Sequence, residues 1–383
     1  MDLDKLYTFN FPTKILFGAG IIKNLGTYLQ ENNLKSPLIV TDPLLQELPL
    51  INSIKGLLES SGQKVSVFSK IEKNPIKQNV HDGKEFYLNN SCDCVIGIGG
   101  GASMDVARSI ALMINHSGDL FDYEESVGGD ALVKNEIPYF ITVPTTSGTG
   151  SEVGRSSVIS DDFTHEKKII FHSSLMAKAV FADPELTLSL PPFVTAATGV
   201  DALTHNIEAY LVETIHPLCD GIALEAIKLI GESLANSVNN PTLEDRAKMM
   251  LGAMMGAIAF QKGLGVVHSM AHSLSTNLNL HHGLANALTL PIGVEFNADV
   301  SDKKLITIAE KLKIEDQSSS GLVDYLINLN KEIGIKSPLK ELNLNDSDIN
   351  NLVNVAYKDV CHQSNPKIVT REDFEKLFKK LLC

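Results

Sequence analysis

Cys94-Val-Ile-Gly-Ile-Gly-Gly-Gly101 is the stretch that decides the fold. Its short apolar run reads as a buried strand, and it breaks into glycines where the helical pattern of residues 103–114 begins. Within it, Gly97-Ile-Gly99-Gly-Gly-Ala102 matches G-x-G-x-x-A between a strand and a helix. Glycines there let the backbone approach a pyrophosphate, and the helix N-terminus supplies oriented N–H groups. Tight strand-to-helix turns are often glycine-rich, and this one is not on the first strand, so the match needs its surroundings. Toward the N-terminus, helical patterns at 21–29, 51–61 and 80–89 alternate with apolar runs at 37–42 and 64–68. Residues 7–20 alternate and end in glycines, which predicts a strand or hairpin. Toward the C-terminus, a strand at 139–143 opens into Pro144-Thr-Thr-Ser-Gly-Thr-Gly-Ser-Glu152, whose small hydroxyls and glycines suit ribose and phosphate oxygens. Repeated βα units predict a mostly parallel sheet with helices on both faces.

The pattern changes after Asp183-Pro184, and from Pro192 long helical repeats take over at 220–238, 243–260 and 305–312. Two domains are the expectation for 383 residues. Residues 1–190 would form an α/β dinucleotide-binding domain and residues 191–383 an all-α, metal-binding domain, with Pro191-Pro192 at the boundary.

Six of the eleven histidines fall between residues 205 and 282. Asp201 and His205 are four apart, as are His268 and His272, which on a helix places each pair on one face. His282 follows a polar loop and precedes a glycine and an apolar run, so a helix start is expected there. A single such histidine is usually a satisfied core residue; four ligand-type residues at helical spacing point to a metal. Imidazole and carboxylate ligands without cysteine suit Fe²⁺ or Zn²⁺. His268-Ser-Met-Ala-His272 has zinc-peptidase spacing, but Ser269 occupies the general-base position, which argues against a peptidase.

Composition narrows the class. With 44% hydrophobic and 21% charged residues the chain can bury a large core. A formal charge of −13 argues against nucleic acid or an anionic membrane as partner. No secretory signal and no run of transmembrane length is visible. The five cysteines (92, 94, 219, 361 and 383) are scattered, as free thiols in a reducing cytoplasm would be. Cys92-Asp-Cys94 reads as buried or half-buried thiols rather than half a metal site.

Taken together, these segments resemble the iron-containing (group III) alcohol dehydrogenases. The resemblance runs from Phe11-Pro-Thr-Lys-Ile-Leu-Phe-Gly-Ala-Gly20 to Asn365-Pro366. Its motifs are Gly99-Gly-Gly-Ala-Ser-Met-Asp105, Pro144–Glu152, Ala196-Ala-Thr-Gly-Val-Asp-Ala-Leu-Thr-His205 and His282-Gly-Leu-Ala-Asn286. It implies a small alcohol or aldehyde substrate, NAD, a homodimer or higher assembly, and an active site in the cleft between the two domains. Carried over residue by residue, the metal ligands fall on Asp201, His205, His268 and His282. Spacing alone would make His272 a ligand; the resemblance places it beside the metal as the catalytic residue. Cofactor positions fall on Asp42, Asn74, Gly100, Gly101, Ser103, Asp105, Thr145, Thr146, Thr149 and Lys167. Asp42, ending a strand, would accept from ribose hydroxyls and repel a 2′-phosphate, which favours NAD over NADP.

Three positions depart from the family pattern. Ala102 replaces a usual serine, Ala177 a common proline, and Phe260-Gln-Lys-Gly-Leu-Gly265 is short where the segment borders the substrate pocket. Arg155 and Lys262 lie near pocket-lining positions, which opens an alternative: a semialdehyde or hydroxy acid whose carboxylate they grip. Two further alternatives are a dehydroquinate-synthase-like lyase, disfavoured by the few basic residues near these motifs, and a metal-free binding or scaffold protein, disfavoured by the intact ligand set.

Overall fold

The computed structural model describes Phe11, residues 13–164 and residues 166–382. By internal contacts the chain divides into an α/β unit, residues 13–146 with 151–188, and a helical unit, residues 147–150 with 189–382.

The α/β unit is built on a six-stranded parallel sheet in the order β1-β8-β5-β4-β2-β3. The strands are β1 (Lys14–Phe17), β2 (Pro37–Val40), β3 (Ser66–Phe68), β4 (Cys94–Gly99), β5 (Tyr139–Pro144) and β8 (Ala179–Ala182); β6 (Ser156–Ser160) and β7 (Lys167–Phe171) form a separate antiparallel hairpin. Five helices accompany them: α1 (Leu25–Glu31), α2 (Pro43–Glu47), α3 (Pro49–Ser60), α4 (Lys77–Asn89) and α5 (Gly101–Ile114). Strand β1 pairs parallel with β8, so it is an edge strand and not half of a hairpin. Residues 7–10 and 12 of the 7–20 expectation lie outside the described residues.

Period-two alternation sorts the sheet's side chains into two cores. Ile96, Ile98, Ile141 and Val143 pack with α1 and α3 on one face, while Leu38, Val40, Val95 and Phe140 pack with α4 and α5 on the other. Both faces are therefore covered, as buried parallel strands require. Gly97 falls on the α5 face, where an added Cβ would lie 2.9 Å from the Ala107 Cβ. That absent side chain lets α5 settle directly on β4, which brings its N-terminus to the end of the strand.

A buried cation helps to attach the β6–β7 hairpin to α5. Arg108 is fully buried; it pairs with Asp105 at 3.0 Å and donates to the carbonyls of Leu175, Ser151 and Ser156. Asp105 also accepts from the Ser151 hydroxyl at 2.8 Å and the Val158 amide at 3.2 Å. Neighbouring Glu152 is buried with its Oε1 lacking a partner, and burial pushes its pKa up to about 7.

In the helical unit, every regular element among the described residues from 189 onward is a helix: α6 (Pro192–Leu211), α7 (Pro217–Asn239), α8 (Leu243–Ala259), α9 (Val266–Leu278), α10 (His282–Phe296), α11 (Ala298–Lys311), α12 (Ser319–Glu332), α13 (Asp346–Lys358) and α14 (Arg371–Leu382), with short 3₁₀ turns between. Pro192 opens α6 at the position where a missing N–H costs nothing. One apolar core, from Ala196 on α6 to Phe378 on α14, runs through the unit. No single helix among the described residues is long and apolar enough to cross a membrane.

Glu152 gives this scaffold a testable pH dependence. Below the ordinary value of 4.5 the carboxyl is protonated folded or unfolded; between 4.5 and about 7 only the folded state keeps the proton. Native stability should fall across that window and level off above it. Glu152→Gln is uncharged and similar in shape, so it should lack that slope. It should be more stable than the native chain by roughly 1–3 kcal/mol at pH 8 and no different at pH 4. Urea unfolding of both proteins at the two pH values checks this, and an equal gap at both would contradict it.

Candidate functional site

Asp201, His205 and Glu208 occupy successive turns of one face of α6. His268 and His272 stand one turn apart on α9, and His282 is the first residue of α10. The helix-start expectation for His282 therefore holds. Asp201, His205 and His268 each offer a ligand atom, all within 4.8 Å of one another. His282 joins them, its Nε2 lying 3.4 Å from Asp201 Oδ1. His268 Nε2 is 4.0 Å from the same oxygen. The His205 and His268 rings stack at 4.6 Å between centroids.

Neighbouring carboxylates aim these rings. Glu208 Oε2 lies 2.5 Å from His268 Nδ1, and Glu208 Oε1 accepts the Val267 amide at 2.8 Å. With Nδ1–H held by Glu208, the Nε2 lone pair of His268 is left facing Asp201. Burial drives His268 down to about 4, which keeps its imidazole neutral; burial also raises Glu208 to about 7, against the backbone amides of 265, 267 and 268, which favour the ionised form that accepts Nδ1–H. Burial likewise holds His205 at about 4, which keeps its imidazole neutral and able to donate a lone pair.

The polar atoms are left under-satisfied in a way a cation would resolve. One amide nitrogen, Asn286 Nδ2, faces Asp201 Oδ1 at 2.6 Å, His282 Nε2 at 3.2 Å and His268 Nε2 at 3.5 Å. It carries two hydrogens for three acceptors. His205 Nδ1 is buried without a hydrogen-bond partner. This donor set of three imidazoles and one carboxylate fits a divalent transition metal.

His272 stands apart from that convergence. Its Nδ1 lies 2.8 Å from Asp359 Oδ2, and its ring stacks on His282 at 5.2 Å. His272 and His282 keep 29% and 27% side-chain exposure against 1–3% for His268 and Asp201, so the cluster opens on their side. Sequence reasoning missed Glu208, Asn286 and Asp359. Glu208 was discoverable as the next member of the 201/205 stripe; nothing in the spacing marks Asp359, which is 87 residues from its partner.

In the α/β unit, most of the expected nucleotide residues converge. Gly100 is the N-cap of α5 and Gly101 its first residue. Gly99 has φ +145°, and a Cβ there would lie 2.5 Å from Ser103 Oγ and 3.6 Å from Asp42 Oδ2. Ser103 and Asp42 thus flank the glycine turn. Asp42 also caps α2, its Oδ1 accepting from the Leu45 amide at 2.9 Å. The Thr145 amide donates to Gly99 O at 3.0 Å, and Thr146 Oγ1 is 3.3 Å from where a Gly100 Cβ would be, so the two loops meet. Lys167 pairs with Ser160 on one edge of β6, and the Ser160 amide donates to Pro75 O at 2.8 Å on the other, so β6 runs between Lys167 and the 74–75 turn. Asp105 lies below this surface with its oxygens engaged by Arg108, Ser151 and Val158. Thr149 falls in the segment counted with the helical unit.

The two cations named for a carboxylated substrate are otherwise engaged. Lys262 is buried and ion-paired with Asp220, and the Arg155 guanidinium lies 5.2 Å over the Phe171 ring. Cys92, Cys94 and Cys219 are buried and Cys361 half-buried, all as free thiols; Cys383 lies outside the described residues.

Comparison with known proteins agrees with this geometry. Residues 12–184 match the family described as "Iron-containing alcohol dehydrogenase", and residues 195–382 match "Fe-containing alcohol dehydrogenase family, C-terminal". The chain is 33% identical over 382 residues to an NAD-dependent methanol dehydrogenase of Bacillus methanolicus, covering 98% of this chain and 99% of that one. It is similar to the crystal structure of a 1,3-propanediol oxidoreductase, with a TM-score of 0.92 and 30% identity over 98% of this chain and 100% of the other. A sulfoacetaldehyde reductase from Bifidobacterium kashiwanohense in complex with NAD⁺ aligns with a TM-score of 0.88 and 27% identity over 99% of both chains. These matches set the lyase and scaffold readings aside. A ligand cluster on three helices and a glycine turn at the C-terminal end of an interior parallel strand thus belong to one enzyme: the chain is a member of the iron-containing alcohol dehydrogenase family, an NAD-dependent oxidoreductase acting on alcohols.

Proposed function

We propose that this enzyme transfers hydride between NAD and a small neutral primary alcohol or aldehyde, with Asp201, His205, His268 and His282 holding one Fe²⁺. The observation that carries the reading is the convergence of Asp201 Oδ1 and the Nε2 atoms of His268 and His282, with a ring nitrogen of His205 inside the same cluster. Three neutral imidazoles and one carboxylate leave a bound divalent ion with residual positive charge. When bound, the ion supplies Lewis acidity at the substrate oxygen and the nicotinamide accepts the hydride. Glu208 orients His268, and Asp201 balances part of the charge. His272, tied through Nδ1 to Asp359, presents Nε2 to take the hydroxyl proton and pass it toward solvent. The glycine turn at 99–101 and Thr145-Thr146 bind the pyrophosphate, and Asp42, Asn74, Ser103, Thr149 and Lys167 complete the cofactor site. Asp105 acts from beneath, by fixing Ser151.

Neutral substrates are favoured over carboxylated ones because Lys262 is held by Asp220 and Arg155 by Phe171. The names of the similar proteins include both neutral and anionic substrates, so those names do not decide the question. A cytoplasmic location, supported by the free thiols of the described cysteines, and the homodimer or larger assembly that the family resemblance implies complete the proposal.

Metal content tests the ligand set. His282→Ala is expected to lose stoichiometric iron on anaerobic purification while still binding NADH at the glycine turn. Glu208→Gln, which spoils the aim of His268 without removing a ligand, should weaken metal affinity by roughly ten- to a hundred-fold. Full occupancy in both variants would contradict the assignment.

Asp42 tests the cofactor assignment. Asparagine also caps helices well, so Asp42→Asn keeps α2 while removing the charge. It should raise the NADP-to-NAD ratio of kcat/KM by about ten-fold or more. An unchanged ratio would place Asp42 away from the ribose.

A further inference from the structure

Helix α9 presents two stripes. His268 faces α6 and its Glu208, whereas Ser269, His272 and Ser273 face α13 and the turn that follows it. Ser273 donates to Leu352 O at 2.7 Å, which fixes the distance between the two helices. In the turn, Asp359 is surrounded by donors. Its Oδ1 accepts the Ser269 hydroxyl at 2.7 Å and the Cys361 amide at 2.9 Å, and its Oδ2 faces His272 Nδ1 at 2.8 Å. The direction of these bonds is set from outside. The His362 amide donates to Ser269 Oγ at 2.9 Å, so that hydroxyl turns its own hydrogen toward Asp359. Further along, Ser364 Oγ donates to Leu264 O at 2.8 Å, and Asn365 accepts from the Val266 amide at 3.2 Å and the Asn297 side chain at 3.1 Å. The turn is therefore bolted to the start of α9 at several points, and Asp359 cannot drift from His272 without breaking them.

An ionised carboxylate has no hydrogen to offer, so the proton in the His272–Asp359 bond belongs to Nδ1. Burial alone would raise Asp359's pKa, but the bonds from His272, Ser269 and Cys361 outweigh it and hold the carboxyl below the usual range.

We propose that Asp359 is a positioning residue for the reaction: its carboxylate locks His272 in the Nδ1–H tautomer, so that Nε2 carries the free lone pair at the open side of the cluster. Deprotonation of the alcohol then breaks the substrate O–H bond and forms N–H at Nε2; Asp359 stays ionised, and solvent takes the proton from Nε2. The inference rests on the proton-transfer role proposed above for His272.

Asp359→Asn reverses the hydrogen-bond sense at one atom. Ser269 and the Cys361 amide still demand an acceptor and hold the amide oxygen at the Oδ1 position, which turns the NH₂ toward His272. Nδ1 must then accept, and the proton moves to Nε2. Single-turnover NADH formation is expected to slow by at least ten-fold, with KM for alcohol within about two-fold and metal content unchanged. His272→Ala should be slow as well, and adding Asp359→Asn to it should cost nothing more. A rate within two-fold of native for Asp359→Asn, or a loss that multiplies in the His272→Ala background, would overturn the proposal. A normal rate for His272→Ala would instead overturn the proton-transfer role itself. Should the Asn variant not fold, the native enzyme decides: with ¹⁵N-histidine and diamagnetic Zn²⁺ in place of iron, the resonance missing in His272→Ala should show the Nδ1–H tautomer. An Nε2–H tautomer would refute the assignment.

Discussion

The hydrogen bond between Glu208 and His268 Nδ1, buried between α6 and α9, is the constraint on which the helical unit turns. Burying a carboxylate and several imidazoles in an otherwise apolar core is costly unless each is matched to a partner. Glu208 meets that demand twice, through His268 and through the Val267 amide at the first turn of α9. The consequence is directional: a side chain that could rotate freely is left with one nitrogen facing Asp201. The same device recurs one turn later, where Asp359 holds His272, so one helix carries two imidazoles aimed by two carboxylates in different directions. In the function proposed here, the first pair would serve the metal site and the second the proton.

A comparable economy of parts governs the α/β unit. The missing side chain at Gly97 sets how close α5 lies to β4, and the left-handed φ of Gly99 makes the turn that exposes the helix N-terminus. Arg108 then ties the far end of the 144–152 loop to α5 from below. The proposed nucleotide residues would need little chemistry of their own, because the scaffold places backbone N–H groups at a helix N-terminus, where a phosphate could use them.

Local periodicity made much of this legible. The strand, glycine turn and helix at 94–114, the paired residues on α6 and α9 and the start of α10 at His282 all follow from spacing within one or two turns. The β6–β7 hairpin escaped because its strands are short and largely polar, Ser156-Ser-Val-Ile-Ser160 against Lys167-Lys-Ile-Ile-Phe171, and beyond Ile159 and Ile170 it is held to α5 by polar bonds to Asp105, Arg108 and Ser109. His272 is the sharper case. Four-residue spacing puts two side chains on one face, but it leaves some 40° between them, and which neighbour each meets depends on residues 60 and 87 positions away. Lys262 shows the same limit. Its charge suggested a substrate contact, while the fold brings Asp220 from another helix to neutralise it.

Anomalous X-ray diffraction at the iron edge, on crystals grown anaerobically with Fe²⁺, tests the central claim most directly. The account predicts one peak per chain, bonded to Asp201, His205, His268 and His282, with His272 outside bonding distance and still paired with Asp359. A peak bonded to His272, or an ion placed away from Asp201, would contradict it.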